Sequence, residues 1–459
     1  MPAIKPSLPK GTRDFLPQQM VQRQYVIDTV KTVFERYGYE PLETPSIEKL
    51  EVLSGKYGEE GDKLLFKVLR RGTGLEDLQY GSTEFIVKKY SQLVEEALRY
   101  DLTVPLSRVV AMHQDKISLP FKRYQIQPVW RAERPQRGRY REFYQCDVDT
   151  VGTESMLADA EVIAIVNDVL ETLGFEQFII RINNRKILDG ILAHAGIDPK
   201  KGPAALIAID KLDKIGIDGV RSELGKRAIP EDSIKRILRV LEISGAPKEV
   251  LSELSSTINK NAVLDEGIDE LQQIINYLSD LGTPPKRCKI DLYLARGLGY
   301  YTGPIYETVV EEPKIGSLSG GGRYDNLIGM FLGKEIPATG TSFGIERIID
   351  VMSELEMFPT SATKTAVLVT LFDQSTLSAS LSFTQELRKI GINAENFLNL
   401  AKFKKQLSYA NRKEIPFVAI IGPDELAENR VTIKNMRTGE QKTFDRREGV
   451  DYLNKQKST

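Results

Sequence analysis

Apolar residues recur at Val26, Val30, Val33 and Tyr37, the spacing of one helix face, and predict a helix over residues 17–37. Pro17 suits its first turn, where a missing N–H costs nothing, and Gly38 suits the position just past its end. The following YEPLETPSIE is punctuated by Pro41 and Pro45, which push the residues before them into extended backbone. Within residues 101–152 the pattern changes. FKRYQIQPVWRAE and YREFYQCDVDTVG are rich in β-branched and aromatic residues and read as strands. The polar RPQRGR between them makes the pair one long antiparallel hairpin with a basic tip. Residues 156–173 return to helical spacing.

Over 186–284 leucine, isoleucine, lysine and glutamate dominate, in short helical patterns broken by glycine and proline. This predicts a small helical domain inserted into the core, with additional core helices as the alternative. Strand signals return at 287–294 and 303–310, followed by a glycine cluster at 320–322 and by GTSFGIERIIDVMSEL, a strand running into a helix. FPTSATKT at 358–365 reads as a linker. From 365 onward the order is strand (TAVLVTLF), helix (376–390, closed by Gly391), strand (INAENF), basic helix (401–413) and strand (PFVAIIG), a separate βα domain. No internal repeat is visible.

Composition narrows the chemistry. The 459 residues are 41% hydrophobic, enough for a large core and several domains. Charged residues make up 28% with a net charge of −1, so any nucleic acid must bind local basic surfaces. Two cysteines, Cys146 and Cys288, and two histidines, His113 and His194, cannot build a disulfide framework or a zinc cluster, and they argue against a histidine general base. The Pro-rich MPAIKPSLPKGTRDFLP has no apolar stretch of signal-peptide length, and no membrane-length apolar run occurs. A cytoplasmic location follows as the expectation.

Four segments could carry chemistry. Between Lys122 and Arg141 the hairpin holds seven basic residues (Lys122, Arg123, Arg131, Arg134, Arg137, Arg139, Arg141) and one acid, Glu133, a density suited to phosphate contact or, alternatively, to a charge-protected sheet edge. LARGLGYYTGPIYE (294–307) sets Arg296 in a glycine-rich turn beside Tyr300 and Tyr301, where a substrate could approach the backbone; an ordinary hairpin with two core tyrosines is the alternative. LSGGGRYDNLIG (318–329) has consecutive glycines, but no Gly-Lys-Ser/Thr follows and the spacing fits no dinucleotide fingerprint. GTSFGIERI (340–348) places Arg347 near a helix start.

Together, and in this order, these segments resemble the class II aminoacyl-tRNA synthetases, and among them the histidyl-tRNA synthetase family, over nearly the whole chain. KGTRDFLP is similar to the family's N-terminal signature. The helix and strand ending near Pro45 resemble motif 1, VWRAERPQRGRYREFYQCDVD motif 2, and GTSFGIERI motif 3. LARGLGYYTG and GGGRYDNL resemble the two segments peculiar to histidine enzymes and make the match specific. The resemblance implies an α+β fold: a class II antiparallel β-sheet core flanked by helices (1–185 and 285–358), a helical insertion domain (186–284) and a C-terminal α/β anticodon-binding domain (365–459). It also implies a homodimer through motif 1.

Residue roles follow from the same resemblance. Arg131 is expected on the ATP α-phosphate and the histidine carboxylate, Glu133 on the adenine amino group, Phe143 stacked on the ring, and Arg347 on the γ-phosphate. Arg296 corresponds to the family's catalytic arginine, expected near the α-phosphate and among the residues that bind the histidine. Asp101, Thr103 and Gln145 are expected around the substrate α-amino group, and Asp149 and Tyr301 at the imidazole, with Tyr300 and Tyr324 lining the pocket. Arg134 and Gln136 are expected at the tRNA acceptor end, as in bacterial members. The basic helix with Lys402, Lys404, Lys405, Arg412 and Lys413 is a candidate anticodon contact or, equally, a solvated face. The implied partners are ATP with Mg²⁺, L-histidine and tRNA(His), with neither DNA nor a membrane. Gly299 stands where the family usually has aspartate, and the polar segment 70–98 receives no role.

The chemistry fits the residue types. A carboxylate attacking the α-phosphorus of ATP requires no proton removal, so cations that position and neutralise suffice. A non-aminoacylating, histidine-binding regulatory paralogue of histidine biosynthesis would lack the C-terminal domain and carry an eroded Arg296 segment. A pure RNA-binding or sensor module needs no ATP clamp. Both alternatives fit less well than the enzyme.

Overall fold

Alternation along two strands decides which side chains can form a site. The computed structural model describes residues 5–55, 61–69, 94–135, 138–258, 261–297, 299–358 and 363–456. The strands up to the linker are β1 (Glu40–Pro41), β2 (Ile47–Lys49), β3 (Lys67–Leu69), β4 (Val94–Leu98), β5 (Phe121–Trp130), β6 (Glu142–Val151), β7 (Ile179–Asn184), β8 (Cys288–Ile290), β9 (Pro304–Val309), β10 (Ser319–Arg323) and β11 (Ala338–Phe343). The main sheet runs β1-β5-β6-β11-β10-β9-β7-β8. Its interior pairings are antiparallel, and only the short outer pairs β1/β5 and β7/β8 are parallel. The expected hairpin is β5–β6, with Phe121 opposite Val151 and Trp130 opposite Glu142. Because β6 also pairs with β11, the hairpin is no free edge, and its charge needs another explanation than edge protection.

Side chains alternate across a strand. Gln145, Asp147 and Asp149 of β6 therefore share one face with Gln127, Gln125 and Arg123 opposite them on β5, and with Ser342 and Gly340 on β11. The other face presents Cys146 and Val148, both buried, and packs on the helix Met156–Thr172. That helix is pinned beneath the sheet by a buried ion pair. Arg323 of β10 contacts Asp159 and also donates to Thr153 O at 2.9 Å, while Thr339 donates to Asp159 Oδ1 at 2.7 Å. Removing one partner of such a pair leaves an uncompensated buried charge, at about 3–5 kcal/mol.

Residues 186–284 are helical as expected, in the segments Arg185–His194, Gly202–Ile209, Leu212–Lys226, Glu231–Leu241, Pro247–Thr257 and Ala262–Asp280. Asn184 caps the first by accepting from Lys186 N at 2.9 Å, and Asn261 caps the last through Val263 N at 3.0 Å. The last helix packs on both Arg185–His194 and Met156–Thr172, so this region is tied to the main sheet's own helix.

The chain divides into two compact units, Met1–Asp14 with Val26–Met357 and Phe15–Tyr25 with Phe358–Thr459. The second contains β12 (Val367–Val369), β13 (Ala394–Asn396), β14 (Phe417–Ile420), β15 (Arg430–Asn435) and β16 (Gln441–Asp445), in the order β13-β12-β14-β15-β16. Val367 and Val369 pack with Phe383, Leu387 and Leu453 on one face; Leu368 packs with Ala410 and Ile415 on the other. Helices thus cover both faces, which is why TAVLVTLF reads as continuously apolar. Of the 358–365 linker, residues 359–362 lie outside the described residues, as does 70–93 of the segment without a role. Among the described residues no helix is long and apolar enough to cross a membrane.

Candidate active site

A buried arginine organises the polar face of the sheet. Arg123 of β5 is fully buried, with Nη2 2.9 Å from Asp149 Oδ2 across the hairpin. This is an ion contact without the angle of a linear hydrogen bond, and Asp149 Oδ2 keeps unused acceptor capacity. The Tyr324 hydroxyl donates to Asp149 Oδ1. Burial pushes the Asp149 carboxyl up, while Arg123 and Tyr324 oppose the shift. Two residues away on the same face, Asp147 is pushed up to about 7, first by burial and, against the pull of Arg123, also by the Asp149 charge. Asp147 Oδ1 and Gln145 Oε1 are buried with no hydrogen-bond partner among the described residues.

The strand glycines make room for this arrangement. A Cβ at Gly340 would stand 2.1 Å from Asp149 Oδ1, and one at Gly322 would stand 3.0 Å from the Tyr301 ring. The glycine cluster therefore serves close approach of side chains to a strand, not a phosphate loop. Over this floor lies a chamber of about 90 Å³ lined by Asp101, Thr103, Arg131, Gln145, Asp147, Asp149, Tyr300, Tyr301 and Tyr324. Every residue expected around the histidine, Arg296 aside, lines it. Tyr301 sits behind Tyr300, with ring centroids 4.4 Å apart, and Tyr300 is 43% exposed at the mouth. Asp101 accepts from Val104 N at 3.1 Å at the start of helix Thr103–Met112. The preceding Arg99, also buried, donates to Thr44 O at 2.6 Å and Pro128 O at 2.9 Å, locking the extended Pro45 segment to the hairpin.

The chamber opens into a cleft of about 760 Å³ whose lining includes Arg131, Glu133, Phe143, Arg296 and Arg347. The three expected arginines thus converge. Arg131 lies over Phe143 and Tyr100, 5.1 and 4.4 Å from the ring centroids, and donates to Tyr100 O at 3.1 Å. Arg296 reaches Glu307 Oε1 at 2.5 Å and donates to Ser317 Oγ at 2.9 Å. Arg347, in the first turn of helix Ile345–Glu354, donates to Ser317 O at 2.8 Å. Its guanidinium is held below the usual range by burial first and then by the charges of Arg296 and Arg139. Mutually repelling cations in one cleft call for a polyanion.

Some residues fall elsewhere or were missed. Arg134 lies in a shallow neighbouring depression with Lys10, Gly11, Pro135 and Arg141, and Gln136 lies outside the described residues. Gly299 faces open space. Lys402, Lys404 and Lys405 are exposed, whereas Lys413 is paired with Glu395 at 2.6 Å. Asp147 was legible as the middle of a period-two run, and Arg123 as the cross-strand partner of Asp149. Arg13, within KGTRDFLP, stacks 3.3 Å from the Tyr140 ring centroid and pairs with Glu346 at 2.9 Å. Asp210 and Lys214, from the helical region, line the same cleft, and no sequence signal marked them. Among the described residues no group of three or more His, Cys, Asp and Glu is placed to hold a metal.

The profile described as "Histidyl-tRNA synthetase" matches residues 11–76 and 88–348, and that described as "Anticodon binding domain" matches 365–456. Curated relatives named histidine–tRNA ligase include one from Cytophaga hutchinsonii, 45% identical over 447 residues covering 96% of this chain and 98% of the relative. Another, from Bacteroides fragilis, is 46% identical over 457 residues, covering 99% and 100%. The crystal structure of histidyl-tRNA synthetase from Nostoc sp. PCC 7120 superposes with a TM-score of 0.86 at 33% identity, covering 99% of this chain and 100% of the other. With its arginine cleft, its acceptor-lined chamber and matches spanning nearly every residue, the chain belongs to the histidyl-tRNA synthetase family.

Proposed function

We propose a residue-level account of the reaction this chain catalyses, the ATP-dependent activation of L-histidine and its transfer to tRNA(His). The observation that carries it is the meeting of Arg131, Arg296 and Arg347 in one cleft beside a chamber with unpartnered buried acceptors. Histidine enters with its imidazole between Asp149 and Tyr301, and Arg123 and Tyr324 hold the Asp149 carboxylate in place. Its α-ammonium faces Asp101, Thr103, Gln145 and Asp147. Adenine stacks on Phe143, with Glu133 at its amino group, and Arg347 takes the γ-phosphate.

The histidine carboxylate then attacks the α-phosphorus in line, and pyrophosphate leaves. Arg131 and Arg296 neutralise the charge that builds on the phosphate, and no base is needed. Mg²⁺ brought with ATP would supply further charge neutralisation; the carboxylates lining the cleft are Glu133, Asp210 and Glu346, of which Glu346 already pairs with Arg13. An apolar amino acid would leave Asp149 and its partners unpaired, so discrimination needs no editing site.

Arg134 and Gln136 are assigned to the acceptor end of the tRNA, and residues 365–459 to the anticodon. We assign the catalytic core to 1–185 and 285–358 and an inserted domain to 186–284. Two free, buried cysteines suit a reducing cytoplasm. The motif 1 segment is assigned to a homodimer interface; sedimentation at the mass of a single chain would exclude it.

Arg296→Ala should lower histidine-dependent ATP–pyrophosphate exchange by on the order of 10²–10³. Exchange surviving in that variant would remove Arg296 from the chemistry. A second test uses pH. With its carboxyl held up to about 7, Asp147 takes a proton as pH falls through neutrality and ceases to attract the ammonium. The advantage of wild type over Asp147→Asn in kcat/KM for histidine should therefore be larger at pH 8 than at pH 6. Comparing the two enzymes cancels the titration of histidine itself, and a pH-independent ratio would refute the assignment.

A further inference from the structure

The helical region reaches the cleft through one short segment. Asp210 Oδ1 accepts from Ala295 N, the backbone just before Arg296, at 3.3 Å. Asp213 Oδ2 lies 2.7 Å from Nη1 of Arg181 on β7. Arg181 is itself fixed by Asp291, and its Nη1 is 3.7 Å from Glu307 Oε2. The other oxygen of Glu307 holds Arg296 at 2.5 Å. Two independent anchors thus tie residues 210–213 to the Arg296 turn, one through backbone and one through a charge chain. The next residue is Lys214. It is exposed and lines the cleft, and its ammonium has no ion-pair partner among the described residues. The helix that begins at Leu212 breaks at Gly216 (φ 66°, ψ 177°), so Asp213 and Lys214 sit on a separate first turn.

The charge balance of the cleft says what Lys214 meets. Arg131, Arg139, Arg296, Arg347 and Lys214 line it against Glu133, Asp210 and Glu346. Glu346 already carries Arg13, and Asp210 is engaged by a backbone N–H. After burial, the neighbouring cations Arg296 and Arg139 are what disfavour the charge on Arg347, and this excess of cations favours a multivalent anion in the cleft.

We propose that the segment Asp210–Lys214 is part of the active site: Asp210 and Asp213 clamp it to the Arg296 turn, and Lys214 binds the polyphosphate of ATP. The inference rests on the nucleotide assignment made under Proposed function. The phosphates of the tRNA 3′ end share this chemistry, and separate assays distinguish the two sources. In ATP–pyrophosphate exchange, without tRNA, Lys214→Ala should raise the KM for ATP about tenfold, the scale of one charged hydrogen bond. The KM for histidine should stay within about twofold, and Lys214→Arg should recover most of the loss. Asp213→Ala, which releases the clamp, should shift the ATP KM in the same direction. Single-turnover transfer from preformed adenylate to tRNA should be unaffected by Lys214→Ala. A wild-type ATP KM in Lys214→Ala, alongside active wild-type exchange, overturns this inference alone. A defect confined to the transfer assay overturns it in favour of the tRNA 3′ end. Wild-type protein without histidine-dependent exchange overturns the nucleotide assignment itself.

Discussion

Burying Gln145, Asp147 and Asp149 side by side on one sheet face is costly, and the rest of the site is arranged around that cost. Two carboxylates removed from water in an antiparallel hairpin repel each other and lose hydration. One buried guanidinium, Arg123, faces them, and it engages Asp149 directly. The compensation is incomplete: Asp147 is left with its carboxyl near neutrality and with an acceptor oxygen unmatched. A ligand bearing several N–H donors completes the set. Histidine has both an ammonium and an imidazole N–H, so in the proposed binding mode the substrate would supply the donors that the fold omits. In that proposed mode selectivity would follow from the same deficit, since an apolar side chain would leave the acceptors unmatched.

The phosphate side obeys the opposite rule. Arg131, Arg296 and Arg347 are held by carbonyls, by the Ser317 hydroxyl and by Glu307, so their geometry persists without ligand. The chamber is predominantly acidic, with Arg131 at its border, and the cleft predominantly basic, which suits an ammonium in the one and phosphates in the other. The helical region adds to this by ending one of its turns over the cleft and tying itself to the Arg296 turn through Asp210 and Asp213. A long, locally folded segment thereby shares contacts with the turn that carries Arg296.

Much of this was legible from the chain. The β5–β6 hairpin followed from aromatic and β-branched runs around RPQRGR, and the C-terminal unit from alternating strand and helix patterns. The three arginines were identified because the surrounding motifs resemble a known family, and the fold brings them together. Asp147 was overlooked because resemblance transfers only matched positions, although the period of two from Gln145 to Asp149 already placed it on the same face. Arg13 and Lys214 could not be read. Their roles depend on tertiary contacts across long stretches of sequence, to Glu346 and into the cleft, and no local pattern encodes such a meeting. The glycine run was readable as unusual but not as a floor; the Tyr306 and Tyr301 rings crowd Gly321 and Gly322, while Asp149 crowds Gly340 on the neighbouring strand.

The most direct measurement is a crystal structure of the chain with a non-hydrolysable histidyl-adenylate analogue. The expected complex has an imidazole nitrogen within about 2.7–3.2 Å of Asp149, and the phosphate mimic between Arg131 and Arg296 at similar distances. An imidazole bound away from Asp149, or a phosphate mimic met by neither guanidinium, would contradict the central claim that one sheet face and its arginine cleft together bind the amino acid and the nucleotide.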